Sequence, residues 1–358
     1  MRHPLVQEAA PASHGREILV TGVAGFIGSR AALRLASRGW RVRGLDRVSP
    51  PRPVADVLCR LIVGDLRVEG VAEEALAGVD TVLHAAAHTD LPRAQADPEV
   101  DFGDNVLGAF RLLEAARKSR TPPTIAFLSS FRVYGDNVDL ALAGQGPKGY
   151  TLALPFQWGI SELFSTDQCE RTAHGTHKLL ADLMAQEFAH SYGLRVGVFR
   201  VGPVAGPGHD ASSDGCWLAA LQRASADRLL QIDPDQTLDL LHVDDLVDAV
   251  LAFVDSDWHH LVLNVGGGVQ NAVRPYDVAA AILTTGAQGD GRVDPAGVLA
   301  TYPKVWVTDI GRAARALGWT PRRDLKTILE EQGIPWQVAP SVTRDSARPA
   351  ENICLGLA

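Results

Sequence analysis

The sequence predicts an α/β protein built on a doubly wound parallel sheet, with a second, smaller domain toward the C-terminus. Two observations support this prediction. Short apolar runs of strand length alternate with longer segments of helical period through residues 17–201, and this alternation is typical of parallel sheets with right-handed crossovers. A glycine-rich turn also follows the first apolar run and precedes the first helical segment, where a strand must turn sharply into a helix.

Each predicted strand is a short apolar run, and each predicted helix has apolar residues three and four positions apart. Residues 135–169 interrupt the pattern with several glycines and prolines. We interpret this segment as a long excursion over the site, because long loops in compact domains are usually functional or disordered. The predicted strands are residues 18–20, 41–46, 60–64, 81–87, 124–130, 194–201 and 261–265, and the predicted helices are residues 26–38, 69–77, 97–118, 170–191 and 243–255.

The turn at residues 21–28 reads Thr-Gly-Val-Ala-Gly-Phe-Ile-Gly, with its three glycines spaced G-x-x-G-x-x-G. Glycine permits a tight turn and close approach of the backbone to a phosphate, and the helix that follows offers N–H donors to an anion. The pattern therefore predicts a Rossmann-type site for a dinucleotide. The expected contacts in this turn are Gly22, Gly25, Phe26, Ile27 and Gly28.

Asp46 ends the second predicted strand, 18 residues after the last glycine of the turn. A carboxylate at this position accepts hydrogen bonds from ribose hydroxyls and repels a 2′-phosphate, so we expect NAD rather than NADP. Arg47 follows at once and leaves NADP open. The ends of the third and fourth strands are expected to add cofactor contacts from Asp65, Leu66, Ala85 and Ala86.

These elements divide the chain into four parts. Residues 17–201 together with 242–265 form the predicted Rossmann domain, and residues 202–241 together with 266–334 form the predicted substrate domain. Residues 1–16 are expected to be a flexible leader, and residues 335–358 an extended or disordered tail.

Composition excludes several classes of protein. The chain has 358 residues, of which 46% are hydrophobic, and carries a net charge of -8. The acidic balance argues against a nucleic-acid partner, and the absence of a long apolar run argues against a membrane span. The N-terminus is too polar for a signal peptide, and the four cysteines form no C-x-x-C pair, so we expect a cytoplasmic protein without a metal site.

Several further motifs follow one another along the chain. They are H-x-A-A at 84–87, D-F-x-x-N-x-x-G at 101–108, S-S-x-x-V-Y-G at 129–135, H-V-D-D-L-V-D-A at 242–249, N-V-G-G-G at 264–268 and L-G-W-T-P at 317–321. Together with the glycine turn, they resemble the extended short-chain dehydrogenase/reductases, specifically the NAD-dependent epimerase/dehydratase family, from about residue 17 to residue 331. Within this family the chain looks most like the CDP-tyvelose 2-epimerase branch.

The resemblance implies a catalytic Ser or Thr and a Tyr-x-x-x-Lys pair beside the nicotinamide. Ser130 matches the first position and Lys178 matches the lysine, but the tyrosine position is His174. Two hypotheses follow. Either His174 is the acid/base, since imidazole has an ordinary pKa of about 6.5, or the site is silent and the chain is an NAD-binding partner protein. Tyr134 and Tyr150 are other candidate proton donors.

The implied activity is an NAD-dependent epimerase that transiently oxidises a hydroxyl carbon of a sugar or sugar-like substrate. A net dehydrogenase or dehydratase of an unusual sugar or cyclitol remains an alternative. The family usually binds a nucleotide diphosphate through arginines, but Leu238 stands at one such position, and residues 296–304 contain no arginine. Either other arginines replace them (Arg223, Arg228, Arg274 or Arg292), or the substrate lacks a nucleotide diphosphate.

The resemblance also implies a homodimer. The family commonly pairs the helices predicted at 97–118 and 170–191 across a two-fold axis. Both predicted helices carry apolar faces, here Leu112, Leu113, Leu179, Leu183 and Phe188.

Overall fold

The structure is a computed structural model that describes residues 16–146, 149–209, 216–229, 231–285 and 293–336. The predicted leader before residue 16 and the predicted tail beyond residue 336 lie outside the described residues.

A seven-stranded sheet forms the centre of the molecule, and every neighbouring pair in it is parallel. This sheet confirms the predicted fold class. Among the described residues the strands are β1 (Glu17–Thr21), β2 (Arg41–Asp46), β3 (Leu58–Val63), β4 (Thr81–His84), β5 (Thr124–Ser130), β6 (Leu142–Gly146), β7 (Gly149–Leu152), β8 (Val196–Val201), β9 (Val204–Ala205), β10 (Thr237–Asp239), β11 (Leu241–His242), β12 (His260–Val265), β13 (Ala272–Val273) and β14 (Val305–Trp306).

The order of strands across the central sheet is β12-β8-β5-β4-β1-β2-β3. The chain adds β2 and β3 on one side of β1 and then crosses to add β4, β5, β8 and β12 on the other side. The order of strands therefore reverses between β1 and β4, which are direct neighbours. In open parallel sheets, ligands bind in the crevice beyond the carboxyl ends of the strands at this reversal. The remaining strands form three small sheets, β13-β10-β14, β11-β9 and β6-β7.

Helices cover both faces of the central sheet. One apolar cluster joins α1 (Phe26–Ser37) and α10 (Val243–Val254) on one face. A second joins α3 (Val71–Leu76), α6 (Gly108–Lys118) and α7 (Ala173–Tyr192) on the other. A third cluster, around Trp217 and Trp306, lies beyond the sheet and packs the small sheets together. The α-helices are α1 (Phe26–Ser37), α2 (Arg52–Ala55), α3 (Val71–Leu76), α4 (Leu91–Ala96), α5 (Pro98–Phe102), α6 (Gly108–Lys118), α7 (Ala173–Tyr192), α8 (Trp217–Arg223), α9 (Ala226–Leu229), α10 (Val243–Val254), α11 (Pro275–Thr284), α12 (Pro295–Leu299), α13 (Gly311–Leu317) and α14 (Leu325–Glu331).

The helix predicted at 97–118 is not a regular α-helix. A π-helical turn, Gly103–Leu107, separates α5 from α6. Such a turn holds one residue more than an α-helical turn, and π-turns occur frequently at functional sites. Asp101, near the end of α5, accepts a hydrogen bond from Asn105 within this turn at 2.9 Å.

The excursion at 135–169 does not run over the site as expected. Its central part packs on the C-terminal part of the chain, where Ile160 pairs with Thr308 in a β-bridge. Glu162 Oε1 accepts a hydrogen bond from the backbone N–H of Asn264 at 2.7 Å. None of its described residues lines the cavities described below.

The apolar residues proposed for a dimer face differ in exposure, and Leu179 among them is half-buried against the third apolar cluster. Leu112, Leu113 and Phe188 are buried inside this chain, against the sheet and neighbouring helices. Leu183, by contrast, is exposed. The same helices also expose Phe102, Phe110, Leu180 and Tyr192.

None of the helices within the described ranges is long and apolar enough to cross a membrane.

Candidate functional site

The glycine turn after β1 has room only for glycine at two of its positions. Gly22 has a φ of +71°, and a Cβ placed on it would lie 2.7 Å from the backbone of Ala86. A Cβ on Gly28 would lie 2.0 Å from the carbonyl oxygen of Gly22. Gly25 caps α1 without a side-chain hydrogen bond, and the first turn of α1 holds no acidic residue. The N-terminus of α1 can therefore receive an anion.

Beside this turn lies a first cavity of about 90 Å³, formed at the ends of β2, β3 and β4. Arg47 forms an ion pair with Asp104 at 3.1 Å. A hydrogen bond from Arg67 lowers the pKa of the Asp65 carboxyl. The lining residues include the predicted cofactor contacts Gly22, Asp46, Asp65, Leu66 and Ala86.

Asp46 has a second contact besides lining this cavity. Its Oδ2 accepts a hydrogen bond from the backbone N–H of Ala24 at 2.9 Å. The carboxylate thus ties the end of β2 to the glycine turn. The carboxylate of Asp46 therefore lies beside the glycine turn and also lines the first cavity.

A second, larger cavity of about 320 Å³, the main cleft, lies on the other side of the glycine turn. It shares Gly22 and Ala87 with the first cavity. The three predicted catalytic side chains all line it, although they come from β5 and α7. The predicted residues in this lining are Gly22, Gly25, Phe26, Ile27, Gly28, Ala85, Ser130, His174 and Lys178.

Lys178 is buried on α7 and donates a hydrogen bond from Nζ to the carbonyl oxygen of Leu128 at 2.5 Å. Burial lowers the pKa of its ammonium to about 8, against the opposing charges of Asp182 and Asp101. Ser130, at the end of β5, accepts a hydrogen bond on Oγ from the backbone N–H of Arg132 at 3.2 Å. The Ser130 hydroxyl can still donate its own proton toward the cleft.

His174 lies one helical turn before Lys178 and is buried, with 5% of its surface exposed. Burial lowers the pKa of its imidazole, and the positive charges of Lys178 and Arg132 lower it further, while Asp101 raises it. The net direction is downward, so His174 is neutral and able to accept a proton at neutral pH. Its Nδ1 lies 4.0 Å from Oδ1 of Asp101.

Asp101 is fully buried and lies among imidazoles. Nδ1 of His88 is 2.9 Å from Oδ1, and Nδ1 of His177 is 2.6 Å from Oδ2. Asn105 also donates to Oδ1 at 2.9 Å. Burial raises the pKa of the Asp101 carboxyl, but the imidazoles lower it more, so the carboxyl pKa lies well below its usual range.

Two tyrosines considered as proton donors lie away from the main cleft. The hydroxyl of Tyr134 donates to Asn264 at 2.8 Å and accepts from Arg200 at 3.1 Å. Burial raises the pKa of Tyr134 to about 12. Tyr150 lies on β7, and neither side chain lines the cleft.

Among the lining residues that sequence reasoning missed, four have titratable side chains: Arg132, His209, Cys216 and Tyr302. Burial raises the pKa of Tyr302 to about 12, so this phenol is a poor base. Burial also raises the pKa of the Cys216 thiol, but His209 lowers it more, and the net direction is downward. Only Arg132 had a sequence signal, because it follows Ser130 within the S-S-x-x-V-Y-G motif.

The lining of the main cleft offers few cationic side chains that could bind a diphosphate. Leu238, at an expected arginine position, is fully buried in the core. Among the described lining residues, the strongly basic groups are Arg132 and Lys178. Arg223, Arg228 and Arg274 do not line the cleft, and Arg274 is paired with Asp277. Arg292 lies outside the described residues.

The described residues contain no group of three or more His, Cys, Asp or Glu side chains arranged to hold a metal ion.

Comparison with known proteins gives a match to the family model for the NAD dependent epimerase/dehydratase family over residues 18–266, more than half of the chain. The chain is 26% identical to dTDP-L-rhamnose 4-epimerase of Burkholderia thailandensis, covering 88% of this chain and 94% of that protein. It is 25% identical to CDP-paratose 2-epimerase of Salmonella typhi, covering 88% of this chain and 97% of that one.

Among solved structures, the fold is similar to that of MoeE5 in complex with UDP-glucose and NAD, with a TM-score of 0.66 and 26% identity. The superposition covers 88% of this chain and 98% of that one. The family resemblance inferred from the motifs is confirmed by these matches.

Proposed function

This chain belongs to the NAD dependent epimerase/dehydratase family, and we propose that it epimerises a sugar or sugar-like substrate by transient oxidation of a hydroxyl carbon, with His174 as the acid/base. The observation that carries this proposal is the composition of the main cleft. A buried imidazole with a lowered pKa lines the same cavity as Ser130, Lys178 and the glycine turn. A proton acceptor, a hydroxyl donor and a cofactor site therefore border one space.

The residues present fit NAD. The glycine turn leaves the N-terminus of α1 open for the pyrophosphate, and Asp46 offers a carboxylate to the adenosine ribose. Lys178 would hold the nicotinamide ribose. When bound, NAD supplies a reversible hydride acceptor.

In this mechanism His174 takes the proton of the substrate hydroxyl as the carbon is oxidised to a ketone. Ser130 hydrogen-bonds the same hydroxyl oxygen and orients it. Lys178 contributes a positive charge that disfavours the protonated imidazole and so favours return of the proton when the ketone is reduced from its other face. An imidazole with a pKa near or below about 6.5 needs no assisting charge to be a base at neutral pH, unlike a phenol with a pKa of about 10.

The substrate should be bound only weakly through any diphosphate. Each missing charge-assisted hydrogen bond costs about 1.5–3 kcal/mol, and Leu238 supplies none. Calorimetry should show that UDP-glucose and CDP-glucose bind weakly. UDP and CDP without the sugar should bind with similarly low affinity. Tight, diphosphate-dependent binding would contradict this part of the proposal and would point to Arg132.

The central experiment replaces His174 by Phe and by Tyr. NAD-loaded protein is mixed with a panel of sugar nucleotides, free sugars and cyclitols. The absorbance of reduced nicotinamide and NMR spectra of the products are then recorded. His174→Phe should abolish turnover while leaving NAD affinity nearly unchanged, because the substitution removes a proton acceptor and not a cofactor contact. His174→Tyr should retain measurable activity, because Lys178 is already placed to lower the pKa of the phenol.

The outcomes separate the alternatives. Turnover by His174→Phe at the wild-type rate would mean that another group is the base. Stable oxidised product without its epimer would identify a net dehydrogenase, and loss of water would identify a dehydratase. If wild-type protein binds NAD yet transforms no compound of the panel, the silent-partner hypothesis is favoured.

We further propose that the chain forms a homodimer through α6 and α7. The exposed apolar residues on these helices and on α5 support this assembly, since large apolar side chains gathered on one surface are typical of interfaces. Sedimentation at micromolar concentration should give a dimer, and Leu183→Glu together with Phe110→Glu should give a monomer. A monomeric wild-type protein would contradict the proposal. The residues concerned are Phe102, Phe110, Leu180, Leu183 and Tyr192.

A further inference from the structure

We infer that Asp101 is the positioning residue for His174. Its carboxylate keeps Nδ1–H of the imidazole directed toward itself, leaves Nε2 for the substrate hydroxyl, and stabilises the imidazolium that forms when the hydroxyl proton is taken up. This inference rests on the proposed role of His174 as the acid/base. It assigns Asp101, on α5, a role in the proton transfer by His174, on α7.

The Asp101 carboxylate is held in place from several directions. It is 0% exposed on α5, and Asn105 and His88 both hydrogen-bond to its Oδ1 at 2.9 Å. His177, on α7, lies 2.6 Å from Oδ2. Asn105 also fixes His88, since its side-chain amide donates to the His88 carbonyl oxygen and accepts from the His88 N–H. A carboxylate restrained in this way can direct a neighbouring ring.

The geometry of His174 indicates which nitrogen is available. Nδ1 is buried, has no hydrogen-bond partner, and lies 4.0 Å from Oδ1 of Asp101. That distance exceeds a hydrogen bond but brings the two groups close enough for strong electrostatic interaction. Catalytic hydrogen bonds are often long in structures without substrate and shorten in the reacting complex. With Nδ1 facing Asp101, Nε2 is the nitrogen that can meet the cleft.

The charges around His174 give Asp101 a specific task. Lys178, on the same helix, and Arg132, from the 3-10 segment after β5, both act against a protonated imidazole. Asp101, on α5, is the anion that the described residues place beside it. Without this carboxylate, an imidazolium would form in a buried site facing two cations. The arrangement of His174 and Asp101 therefore resembles that of a catalytic triad, in which a buried aspartate orients the histidine and stabilises its imidazolium.

The proton balance is simple. The hydroxyl O–H bond breaks as Nε2–H forms, while Nδ1 keeps its own proton, so the ring becomes an imidazolium beside Asp101. When the ketone is reduced, Nε2 returns its proton to the oxygen. Asp101 stays ionised throughout, because the hydrogen bonds from His88, His177 and Asn105 stabilise its charged form.

The experiment is an NMR titration of NAD-loaded protein labelled with ¹⁵N-histidine. A His174→Gln spectrum identifies the His174 signals by subtraction. Wild-type His174 should show a protonated Nδ1 and an unprotonated Nε2. In Asp101→Asn the pKa of His174 should fall by about one pH unit or more, because an opposite charge at this distance shifts a pKa by that amount. Asp101→Glu should restore part of the difference.

A matched control is Asp245→Asn, since Asp245, on α10 and outside the lining of the cleft, is equally buried but is paired with Arg323. It should leave the His174 titration unchanged even if the protein is less stable. A wild-type His174 that carries its proton on Nε2 would overturn the inference without any variant. An Asp101→Asn protein with the wild-type tautomer and titration would also overturn it.

A kinetic readout separates this inference from the proposed function. With the compound that the panel identifies, Asp101→Asn should reduce kcat on the order of 100-fold or more, and the acid limb of the pH profile should move to lower pH. If His174→Phe is inactive but Asp101→Asn behaves as wild type, His174 is the base and Asp101 is not its partner. If His174→Phe is active, the proposed function itself fails.

Discussion

The two ends of the binding site hold their charges in different ways. In the first cavity, carboxylates face guanidinium groups: Asp65 pairs with Arg67, and Asp104 pairs with Arg47. Behind the main cleft, the buried Asp101 faces imidazoles, and the Lys178 ammonium, which lines the cleft, has a pKa of about 8. Guanidinium groups do not lose their proton in proteins, whereas imidazoles and a lowered lysine do so near neutral pH.

This difference separates binding from chemistry. The carboxylate–guanidinium pairs of the first cavity, which His88 also lines, should keep their charges over a wide pH range. The main cleft should respond to pH, because the proposed acid/base, His174, must change its protonation in the proposed mechanism. The predictions below test this separation.

The largest effect is expected from Gly28→Ala, which disrupts the glycine turn at residues 21–28. This turn borders both the first cavity and the main cleft. The new Cβ would lie 2.0 Å from the Gly22 carbonyl oxygen, a backbone atom that cannot rotate away. We expect destabilisation of about 3 kcal/mol and loss of measurable NAD binding. Urea unfolding and calorimetry check both effects.

Gly78→Ala is the matched control for this substitution. Gly78 differs from Gly28 in having a positive φ, of +75°, but a Cβ there meets nothing within 4 Å, so this substitution adds backbone strain without a clash. The cost should be only about 1–2 kcal/mol of backbone strain, with NAD affinity unchanged. Wild-type NAD affinity in Gly28→Ala would show that the turn is not the cofactor site.

An intermediate effect is expected from pH acting on Lys178. The lysine is charged below its pKa of about 8 and loses its charge as the pH rises through that value. NAD affinity should therefore fall several-fold between about pH 7 and about pH 9.5, because the nicotinamide ribose loses its partner. ADP, which would occupy the first cavity and the glycine turn, should bind equally well across this range.

Lys178→Met should bind NAD more weakly than wild type and should show no such dependence on pH. If NAD and ADP follow the same pH curve, the separation between the two ends is wrong.

The smallest effect concerns the choice between NAD and NADP. Asp46→Asn keeps an oxygen to accept the hydrogen bond from Ala24 but removes the charge that opposes a 2′-phosphate. The preference of the wild type for NAD should shrink by about tenfold, or about 1.4 kcal/mol. Titration calorimetry with both cofactors measures the change. Equal binding of NAD and NADP by wild-type protein would mean that Arg47 dominates over Asp46.

The same contrast explains what could be read from the sequence. The glycine turn is contiguous, and its spacing follows from the geometry of one strand and one helix, so Gly22, Gly25 and Gly28 were identifiable in advance. The parallel sheet was predictable for a similar reason, because strand and helix periods are local properties. His174 and Lys178 were proposed as site residues because they match the two positions of the Tyr-x-x-x-Lys motif of the family that the chain resembles.

Asp101 was visible only as a member of a motif. Its partners His88 and His177 come from other segments, and no spacing in the sequence brings them together. Tyr302 and Cys216 reach the cleft from the C-terminal part of the chain in the same way. Contacts between distant segments depend on how elements pack, which local patterns do not specify.

The sequence also led to a wrong prediction of which apolar side chains are exposed on a helix that has apolar residues on two sides. Leu112 and Leu113 face the sheet, while Phe110 faces outward on the same helix. Apolar period alone cannot tell an inward face from one that meets a second copy.

The π-helical turn at Gly103–Leu107 makes the position of Asp101 relative to α6 sensitive to chain length. Each residue of an α-helix turns the chain by about 100°, so deleting one residue from this turn would rotate α5 by about that angle relative to α6. Every side chain of the site would be retained, yet the carboxylate of Asp101 would point away from the imidazoles. A one-residue deletion here would thus have the same effect on the acid/base group as a substitution of Asp101.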